Sequence, residues 1–444
     1  MKMDIQLSDH FNCKKLLQFT WPSVVMLVFT SVYGVVDGFF VSNFVGKIPF
    51  TAVNFIMPFL MILGSAGFMF GTGGGALIAK TMGEGKQEKA NAQFSLIVYA
   101  SVFCGIGLSV LGAILIRPFA VFLGAKGQLL ENSMIYGRII LVAVPAYILQ
   151  YEFQCLFATA GKPGLGLAVT IAAGVTNMAL DALFVAALGW GLAGAAAATA
   201  MSQFVGGIIP AIYFLRPNSS LLRLGKTGFD GSTLVKACVN GSSELMSNIS
   251  ISVVSILYNG QLLKYAGEDG IAAYGILMYV SLVFQAAFIG YSVGTAPVIS
   301  YHYGAGNSNE LKGILKRSLT LIGVFAAAMF GAAYLLTEPI ARIFAGYDEG
   351  LCGLTVRAFE IFSFSFLFAG FTIMGSSFFT ALNDGPVSAA ISFMRTMVFQ
   401  IFAVLIFPVF WKVDGIWVSI VAAEMMAVTV TVFFLRVKQK KYRY

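Results

Sequence analysis

The chain is 444 residues long, with 58% hydrophobic residues and only 11% charged residues. Soluble domains carry about 25% charged residues, so this composition excludes a soluble protein of several domains. The net charge of +8 does not indicate nucleic-acid binding, because the cationic residues stand in short runs between apolar segments and in the segment 436–444. The composition predicts a polytopic membrane protein.

Apolar runs recur along the whole chain. A membrane-spanning helix needs about 20 mainly apolar residues, and twelve segments of the sequence meet that requirement. In the first half these are spans 1 to 6, at 16–44, 50–78, 92–116, 134–159, 165–188 and 191–215. In the second half they are spans 7 to 12, at 236–262, 271–300, 318–336, 356–381, 387–410 and 415–435. The sequence therefore predicts an all-α polytopic membrane protein with twelve transmembrane helices.

The distribution of Lys and Arg predicts how these spans are oriented. With the N-terminus inside, 19 of the 28 Lys and Arg residues fall in inner segments and seven fall in outer ones. Short cytoplasmic loops are enriched in Lys and Arg, so both termini are expected to be cytoplasmic. That expectation requires an even number of spans, which agrees with twelve.

Features of the sequence recur at about half of its length. Asp37-Gly38 is matched by Asn259-Gly260, and Gly83-Glu84-Gly85 is matched by Gly304-Ala305-Gly306. A six-span repeat in one orientation predicts two pseudo-symmetric six-helix bundles with a site between them near the midplane. The predicted divisions are a cytoplasmic N-terminal segment 1–15, an N-lobe 16–215, a cytoplasmic linker 216–235, a C-lobe 236–435 and a basic cytoplasmic tail 436–444.

Two carboxylates within the first bundle are the leading functional candidates. An ionised side chain in hydrocarbon costs about 2.5–3.5 kcal/mol, which makes an intramembrane acid a functional candidate. Asp37 lies in span 1 and Asp181 in span 5, where Asn177 shares a helix face with Asp181. Tyr136 and Thr199 lie in neighbouring spans. This group could exchange a proton or coordinate Na⁺; the alternative is a set of structural caps and ion pairs.

Further polar residues lie in or beside the spans. Glu244, near the start of span 7, is a candidate for coupling or substrate binding in the second lobe, or a solvated residue of a first helical turn. Glu152 and Glu424 are substrate contacts or structural groups, and Arg395 is a potential partner for such acids. The candidate substrate-cavity residues are Gln150, Phe153, Gln154, Met201, Gln203 and Gln285.

Two segments resemble motifs of enzymes or of ATP binding, but each lacks features that its motif requires. Residues 290–294 read GYSVG, but the nucleophile elbow needs a strand, a turn and a suitably placed His, and this segment lies within an apolar helical run. Residues 71–75 read GTGGG without the Lys-Ser/Thr of a phosphate loop. We therefore expect no enzyme, no cofactor and no metal beyond Na⁺, and an ion gradient as the energy source.

Several segments resemble the multidrug and toxin extrusion (MATE) family of multidrug/ion antiporters, in its bacterial branch, over essentially the whole chain. The Asp of span 1 and the Asn-xxx-Asp element of span 5 are the most specific. The similar segments are VDGFFV at 36–41, NMALDALF at 177–184, GLAGAAAAT at 191–199, PVISYHYGA at 297–305 and DGIW at 414–417.

The resemblance implies two six-helix lobes in a V and export driven by H⁺ or Na⁺ antiport. It also implies an N-lobe cation site, and the matching positions are Asp37, Tyr136, Asn177, Asp181 and Thr199. Some relatives hold sodium with a carboxylate in span 10, but the stretch 363–376 contains none. Glu244 is then the remaining C-lobe candidate.

The leading functional hypothesis is a secondary active multidrug exporter of the bacterial cell membrane. It would antiport organic, mostly cationic compounds against H⁺ or Na⁺ by alternating access, as a monomer whose partners are the bilayer and its substrates. One alternative is a flippase or exporter of a lipid-linked or oligosaccharide precursor, for which only Arg138 and Arg395 offer intramembrane positive charge. An intramembrane enzyme is the less favoured alternative.

Overall fold

The computed structural model describes residues 5–346 and 348–444, and within them every secondary-structure element is helical. Residues 1–4 of the predicted N-terminal segment and the side chain of Lys47 lie outside this description. Within it, ten helices are long and apolar enough to cross a membrane. Their bounds are Cys13–Val45, Ile48–Gly83, Gln87–Phe122, Gly127–Thr159, Pro163–Ala187, Gly191–Leu215, Gly231–Gly304, Ser308–Leu335, Glu349–Ala381 and Gly385–Tyr442.

Two of these helices are each broken by one residue with a positive φ. Gly267 has φ 67° and ψ −154°, and Lys412 has φ 48° and ψ −122°. Dividing the two helices at these kinks gives spans 7 and 8 at 231–266 and 268–304, and spans 11 and 12 at 385–411 and 413–442. The remaining helices are spans 1 to 6, 9 and 10 in chain order. The predicted twelve-helix architecture is confirmed.

Most helices extend beyond their predicted limits. Span 3, predicted over 92–116, runs from Gln87 to Phe122, because the helix continues through the polar residues 87–91 at its start and past Arg117 and Pro118 at its end. The sequence did not predict the short helix Thr337–Ala345 between spans 9 and 10. Hydropathy therefore locates the apolar middle of each helix and leaves its polar ends undefined.

The backbone repeats its turns in the two halves of the chain. Residues with a positive φ end or interrupt helices at equivalent places, 221 to 223 residues apart. The matched pairs are Gly46 with Gly267, Gly85 with Gly306, Gly161 with Asn383, and Gly189 with Lys412. A backbone conformation with positive φ favours glycine or asparagine. The second half of the chain nevertheless repeats this conformation at Lys412, where the first half has Gly189. The two halves therefore share their backbone turns.

The two lobes touch closely at one face of the molecule. An even number of spans brings both termini to the same side, which we call the terminal face. There, a Cβ on Gly83 at the end of span 2 would lie 2.0 Å from the carbonyl oxygen of Tyr301 in span 8. A Cβ on Gly304 would lie 2.0 Å from the carbonyl oxygen of Lys80. Only glycine permits this approach of the two backbones.

Span 2 makes a second close contact, with span 7. A Cβ on Gly241 would lie 2.0 Å from the carbonyl oxygen of Met69, and one on Gly73 would lie 2.1 Å from that of Ala237. The Asn240 amide donates a 3.4 Å hydrogen bond to the Gly73 carbonyl. These contacts lie in the halves of the spans nearest the terminal face, so the lobes are closed against each other on that side.

The segment before span 1 crosses to the other lobe. Leu7 and Phe11 are buried. One Glu310 carboxylate oxygen lies 2.6 Å from His10 Nδ1, and the other accepts a 2.9 Å hydrogen bond from the Phe11 backbone N–H. Arg317 donates a 2.6 Å hydrogen bond to the Phe11 carbonyl. The first lobe is thereby tied to span 9 at the terminal face.

The predicted tail 436–444 continues the helix of span 12 to Tyr442. The Tyr442 hydroxyl donates a 2.6 Å hydrogen bond to Asp384, which lies between spans 10 and 11. The Tyr444 ring packs edge-on against Phe378 at 4.9 Å between ring centres. The basic end of the chain is therefore folded against the second lobe.

Replacing Gly241 with Ala tests the closed terminal face. Its Cβ would lie 2.0 Å from a backbone oxygen. Such overpacking costs about 1–3 kcal/mol, enough to shift the closed-to-open ratio roughly tenfold. The distance between spin labels at the terminal-face ends of spans 2 and 8 should widen. Gly107→Ala is the matched control, because its Cβ meets nothing within 4 Å; identical distance distributions in the two folded variants would contradict the prediction.

Candidate functional site

The two acids of the first lobe stand beside irregular turns of their helices. Asp37 lies in span 1, and its carbonyl accepts a hydrogen bond from Val41, the first residue of the π-helical segment Val41–Val45. Asp181 directly precedes a second π-helical segment, Ala182–Ala187. Such wider turns are rare and occur frequently at functional sites. The sequence carried no signal for either segment.

All five residues predicted for the first-lobe site come together. Thr199 donates a 3.1 Å hydrogen bond to Asp37 Oδ1, and the Asn177 amide donates one of 3.4 Å to the Thr199 hydroxyl. The Tyr136 hydroxyl lies near Thr199 and Asp37, but it has no hydrogen-bond partner in the protein. Asp181 and Tyr136 are fully buried, and Asp37 is 7% exposed. The cluster joins spans 1, 4, 5 and 6 in the interior of the lobe.

The carboxyl groups of Asp37 and Asp181 lie within hydrogen-bond reach of each other. Ionised carboxylates only accept hydrogen bonds, so this contact becomes a hydrogen bond only when one of them carries a proton. With both ionised, neither oxygen of Asp181 has a donor. In the described part of the chain, no Lys, Arg or His forms an ion pair with either acid. The pair therefore needs an added proton or cation.

The second lobe holds a charged cluster of different construction. Arg395, in the π-helical segment Met394–Val398, lies with its Nε 2.9 Å from both carboxylate oxygens of Glu424. Its guanidinium also donates a 3.4 Å hydrogen bond to Gln285. The positive charge of Arg395 also acts on Glu244, although the two side chains form no ion pair. Two acids thus face one guanidinium, which leaves one negative charge when both acids are ionised.

The remaining predicted residues are divided between different environments. Gln150, Phe153, Gln154 and Gln203 are buried inside the first lobe, and Met201 is 47% exposed. Contact of these residues and of Gln285 with a substrate stays a prediction.

The other ionisable residues of the spans are accounted for differently. Ser101 donates a hydrogen bond to Glu152, which is fully buried and has one carboxylate oxygen without a partner. Arg138 is exposed and forms no ion pair with a described residue. Of these two acids, Glu424 forms an ion pair with an intramembrane Arg, whereas Glu152 is hydrogen-bonded to a serine.

Tyr33 also lies close to the acid pair, although it was not among the residues predicted from the sequence. This residue precedes Asp37 by four, on the same helix face, and its hydroxyl lies near Gln150 in span 4. The four-residue spacing from an intramembrane acid was the available signal.

Comparisons with known proteins agree over nearly the whole chain. The family model MatE matches residues 22–183 and 245–406, two stretches that begin 223 residues apart. The chain is 22% identical over 433 residues to the multidrug export protein MepA of Staphylococcus saprophyticus, covering 95% of this chain and 94% of that protein. It is 21% identical over 432 residues to MepA of Staphylococcus aureus strain NCTC 8325, with the same coverage.

Solved structures share the fold. A crystal structure of MATE in complex with MaL6 superposes with a TM-score of 0.94 at 21% identity, covering all of both chains. A transporter of the MOP superfamily from Pyrococcus furiosus, described as having a binding pocket of reverse polarity, gives 0.93 at 21% identity over 100% of this chain and 99% of that one.

Removing one partner of the Arg395–Glu424 pair should destabilise the second lobe. Arg395→Met leaves a buried carboxylate without its counter-ion, a loss of about 3–5 kcal/mol. The double variant Arg395→Met/Glu424→Gln removes the stranded charge and should recover most of that loss. Melting midpoints of the purified variants in detergent test both statements. Equal midpoints for the single and double variants would show that the pair is not coupled.

Proposed function

The chain belongs to the MatE family, and from that membership we propose that it is a secondary active multidrug exporter. It antiports organic, mostly cationic compounds against H⁺ or Na⁺ by alternating access. The observation that carries this proposal is the buried contact of Asp37 with Asp181, which no described cationic side chain neutralises. The similarity to the MepA relatives, which are multidrug export proteins, supports the class of cargo.

The coupling ion binds at Asp37, Asp181, Asn177, Tyr136 and Thr199. A proton converts one carboxyl group into a donor for the other, and Na⁺ satisfies several oxygens at once. A cationic compound that binds between the two lobes is attracted by the same negative charge. Because the charge can be neutralised by the ion or by the compound, binding of one weakens binding of the other, which is the thermodynamic basis of exchange.

The terminal face is the cytoplasmic face. This orientation is supported by the 19 of 28 Lys and Arg residues that fall on its side of the predicted spans. The glycine contacts of span 2 with spans 7 and 8 then close the cytoplasmic side of a bacterial cell-membrane protein. Transport requires these contacts to separate, and the π-helical turns beside both acids are places where ion binding can alter span 1 and span 5.

The second lobe contributes to cation binding through Glu244. Glu424 is neutralised by Arg395, so the remaining negative charge of the cluster resides on Glu244. The protein needs no cofactor beyond the transported ion, and its partners are the bilayer and its substrates. It acts as a monomer.

A flippase for anionic lipid-linked precursors is less well supported. Such cargo needs free positive charge in the central cavity. Arg395 is engaged by Glu424, and Arg138 is exposed. This arrangement favours cationic over anionic cargo.

Substituting either acid tests the proposal. Asp37→Asn and Asp181→Asn remove the charge that the ion and the compound share, so ethidium transport driven by a pH or Na⁺ gradient in proteoliposomes should fall to the level of empty vesicles. Asp269→Asn is the matched control, because that aspartate is exposed in the first turn of span 8. Full transport by either site variant under both gradients would refute the assignment.

A further inference from the structure

Glu152 is a further buried acid of the first lobe, remote from the Asp37–Asp181 pair. It lies seven residues before Thr159, where span 4 ends at the terminal face, and it is fully buried. Tyr136 of the acid cluster precedes it on the same helix by 16 residues, a separation of about 24 Å along the axis. In the part of the chain that the structure describes, Glu152 forms no ion pair. An ionised carboxylate here would lack both water and a counter-charge, which is a costly state.

The contacts of the Ser101 hydroxyl indicate which form of Glu152 fits this environment. That hydroxyl lies 2.9 Å from the Val98 carbonyl oxygen and also within hydrogen-bond distance of Glu152 Oε2. A serine hydroxyl has one hydrogen to donate, and an ionised carboxylate only accepts. With Glu152 ionised, Ser101 therefore donates to one of the two oxygens. With Glu152 protonated, Glu152 donates to Ser101 and Ser101 donates to Val98, so that both hydrogen bonds form.

The second carboxyl oxygen of Glu152 also fits a protonated group. Oε1 is buried and has no hydrogen-bond partner among the described residues. On an ionised carboxylate this oxygen would share the negative charge without a donor, whereas on a protonated carboxyl group it is an uncharged carbonyl oxygen. Leaving a charged group unsatisfied costs more than leaving a neutral one unsatisfied. Both oxygens of Glu152 are therefore better accommodated when the side chain carries a proton.

The neighbouring described side chains bring no positive charge to Glu152. Span 2, which packs on this part of span 4, has no ionisable residue from Ile48 to Ala79. The ionisable side chains in this neighbourhood are the thiols of Cys104 in span 3, Cys155 in span 4 and Cys238 in span 7, and the carboxyl group of Glu244 in span 7. Thiols and carboxyl groups are neutral or negative, so none of them stabilises an ionised Glu152.

Glu152 lies directly behind the closed contact of the two lobes. A Cβ on Gly71 of span 2 would lie 3.0 Å from the Glu152 carbonyl oxygen. Gly71 belongs to a π-helical segment of span 2, Met69–Gly74, and the same segment meets the backbone of span 7 at Gly241. One short stretch of span 2 is thus packed against Glu152 on one side and against the second lobe on the other. Movement of this stretch away from span 7 alters the packing that shields Glu152 from water.

We propose that Glu152 is a second proton-binding site, protonated while the terminal face is closed and ionised when span 2 separates from span 7. The inference uses the alternating access of the proposed function and is independent of which ion the Asp37–Asp181 pair binds. In the closed state the proton is bonded to Glu152 Oε2 and is donated to Ser101. On opening, that O–H bond breaks, a water molecule accepts the proton and a hydrated carboxylate remains. Because the closed state binds this proton more tightly, a lower pH favours the closed state and a higher pH favours the open one.

Infrared spectroscopy at neutral pH tests the protonation state. Glu152→Gln and Glu152→Met replace the acid with neutral side chains of similar length, and Glu268→Gln is the matched control, because Glu268 is exposed at the start of span 8. The parent-minus-variant spectrum should contain the C=O stretch of a protonated carboxyl group for both Glu152 variants, and the bands of an ionised carboxylate for Glu268→Gln. Carboxylate bands for the Glu152 variants would overturn the proposal. Failure of both to fold would also overturn it, because a site that holds a neutral acid tolerates a neutral replacement.

The distance between spin labels at the terminal-face ends of spans 2 and 8 tests the link to opening. Raising the pH should increase the open population of the parent and of Glu268→Gln. In Glu152→Gln the increase should be about fivefold smaller, at the lower end of ordinary allosteric couplings. The same pH dependence in Glu152→Gln and in the parent would overturn the link. Neither measurement involves transport, so retained ethidium transport in Asp37→Asn would overturn the proposed function and leave this site unaffected.

Discussion

The contact between two carboxyl groups in the interior of the first lobe is the constraint on which the rest of the molecule depends. An ionised carboxylate buried away from water carries an effective penalty of several kcal/mol, and two in contact add their mutual repulsion. Neither Asp37 nor Asp181 has a cationic partner among the described residues. The lobe is therefore incomplete without an added positive charge, and a transporter can use that requirement to link two cargoes.

The two lobes are held together at the terminal face by close backbone contacts. Glycines at the terminal face allow the backbones of spans 2, 7 and 8 to meet with no intervening side chains. Such contacts form or separate as a unit, since a packed backbone contact has little intermediate range. The N-terminal segment adds a polar clasp between the lobes at the same face, through Phe11 and Glu310. The closed side of the molecule is consequently built from backbone contacts and a polar clasp at the same face.

Much of this could be predicted from the sequence, for identifiable reasons. Hydropathy located twelve spans because a membrane helix requires about 20 apolar residues. The cost of charge in hydrocarbon marked Asp37 and Asp181, and the four-residue helical spacing added Asn177. These signals depend on composition and local periodicity alone, so they can be recognised in the sequence without a three-dimensional structure.

The rest depends on how the helices are rotated against each other. Nothing in the sequence states that Arg395 turns toward Glu424, because the two are separated by 29 residues and lie on different spans. The π-helical segments beside the acids have ordinary apolar composition. Gln150 and Gln154 are buried inside the first lobe, although the sequence alone could equally have placed them in a substrate cleft. Side-chain direction, rather than helix existence, was the missing information.

The two lobes share a backbone plan but have diverged in chemistry. Their positive-φ turns recur at 221 to 223 residues, yet at an offset of 222 Asp37 corresponds to Asn259 and Asp181 to Ala403. In the reverse direction, Arg395 corresponds to Ala173 and Glu424 to Ser202. The pair of acids in mutual contact thus lies in one lobe, and the intramembrane Arg–Glu pair lies in the other. With identical chemistry both lobes would be neutralised alike, whereas here the first lobe buries two acids without an ion pair and the second supplies Glu424 with an internal counter-charge.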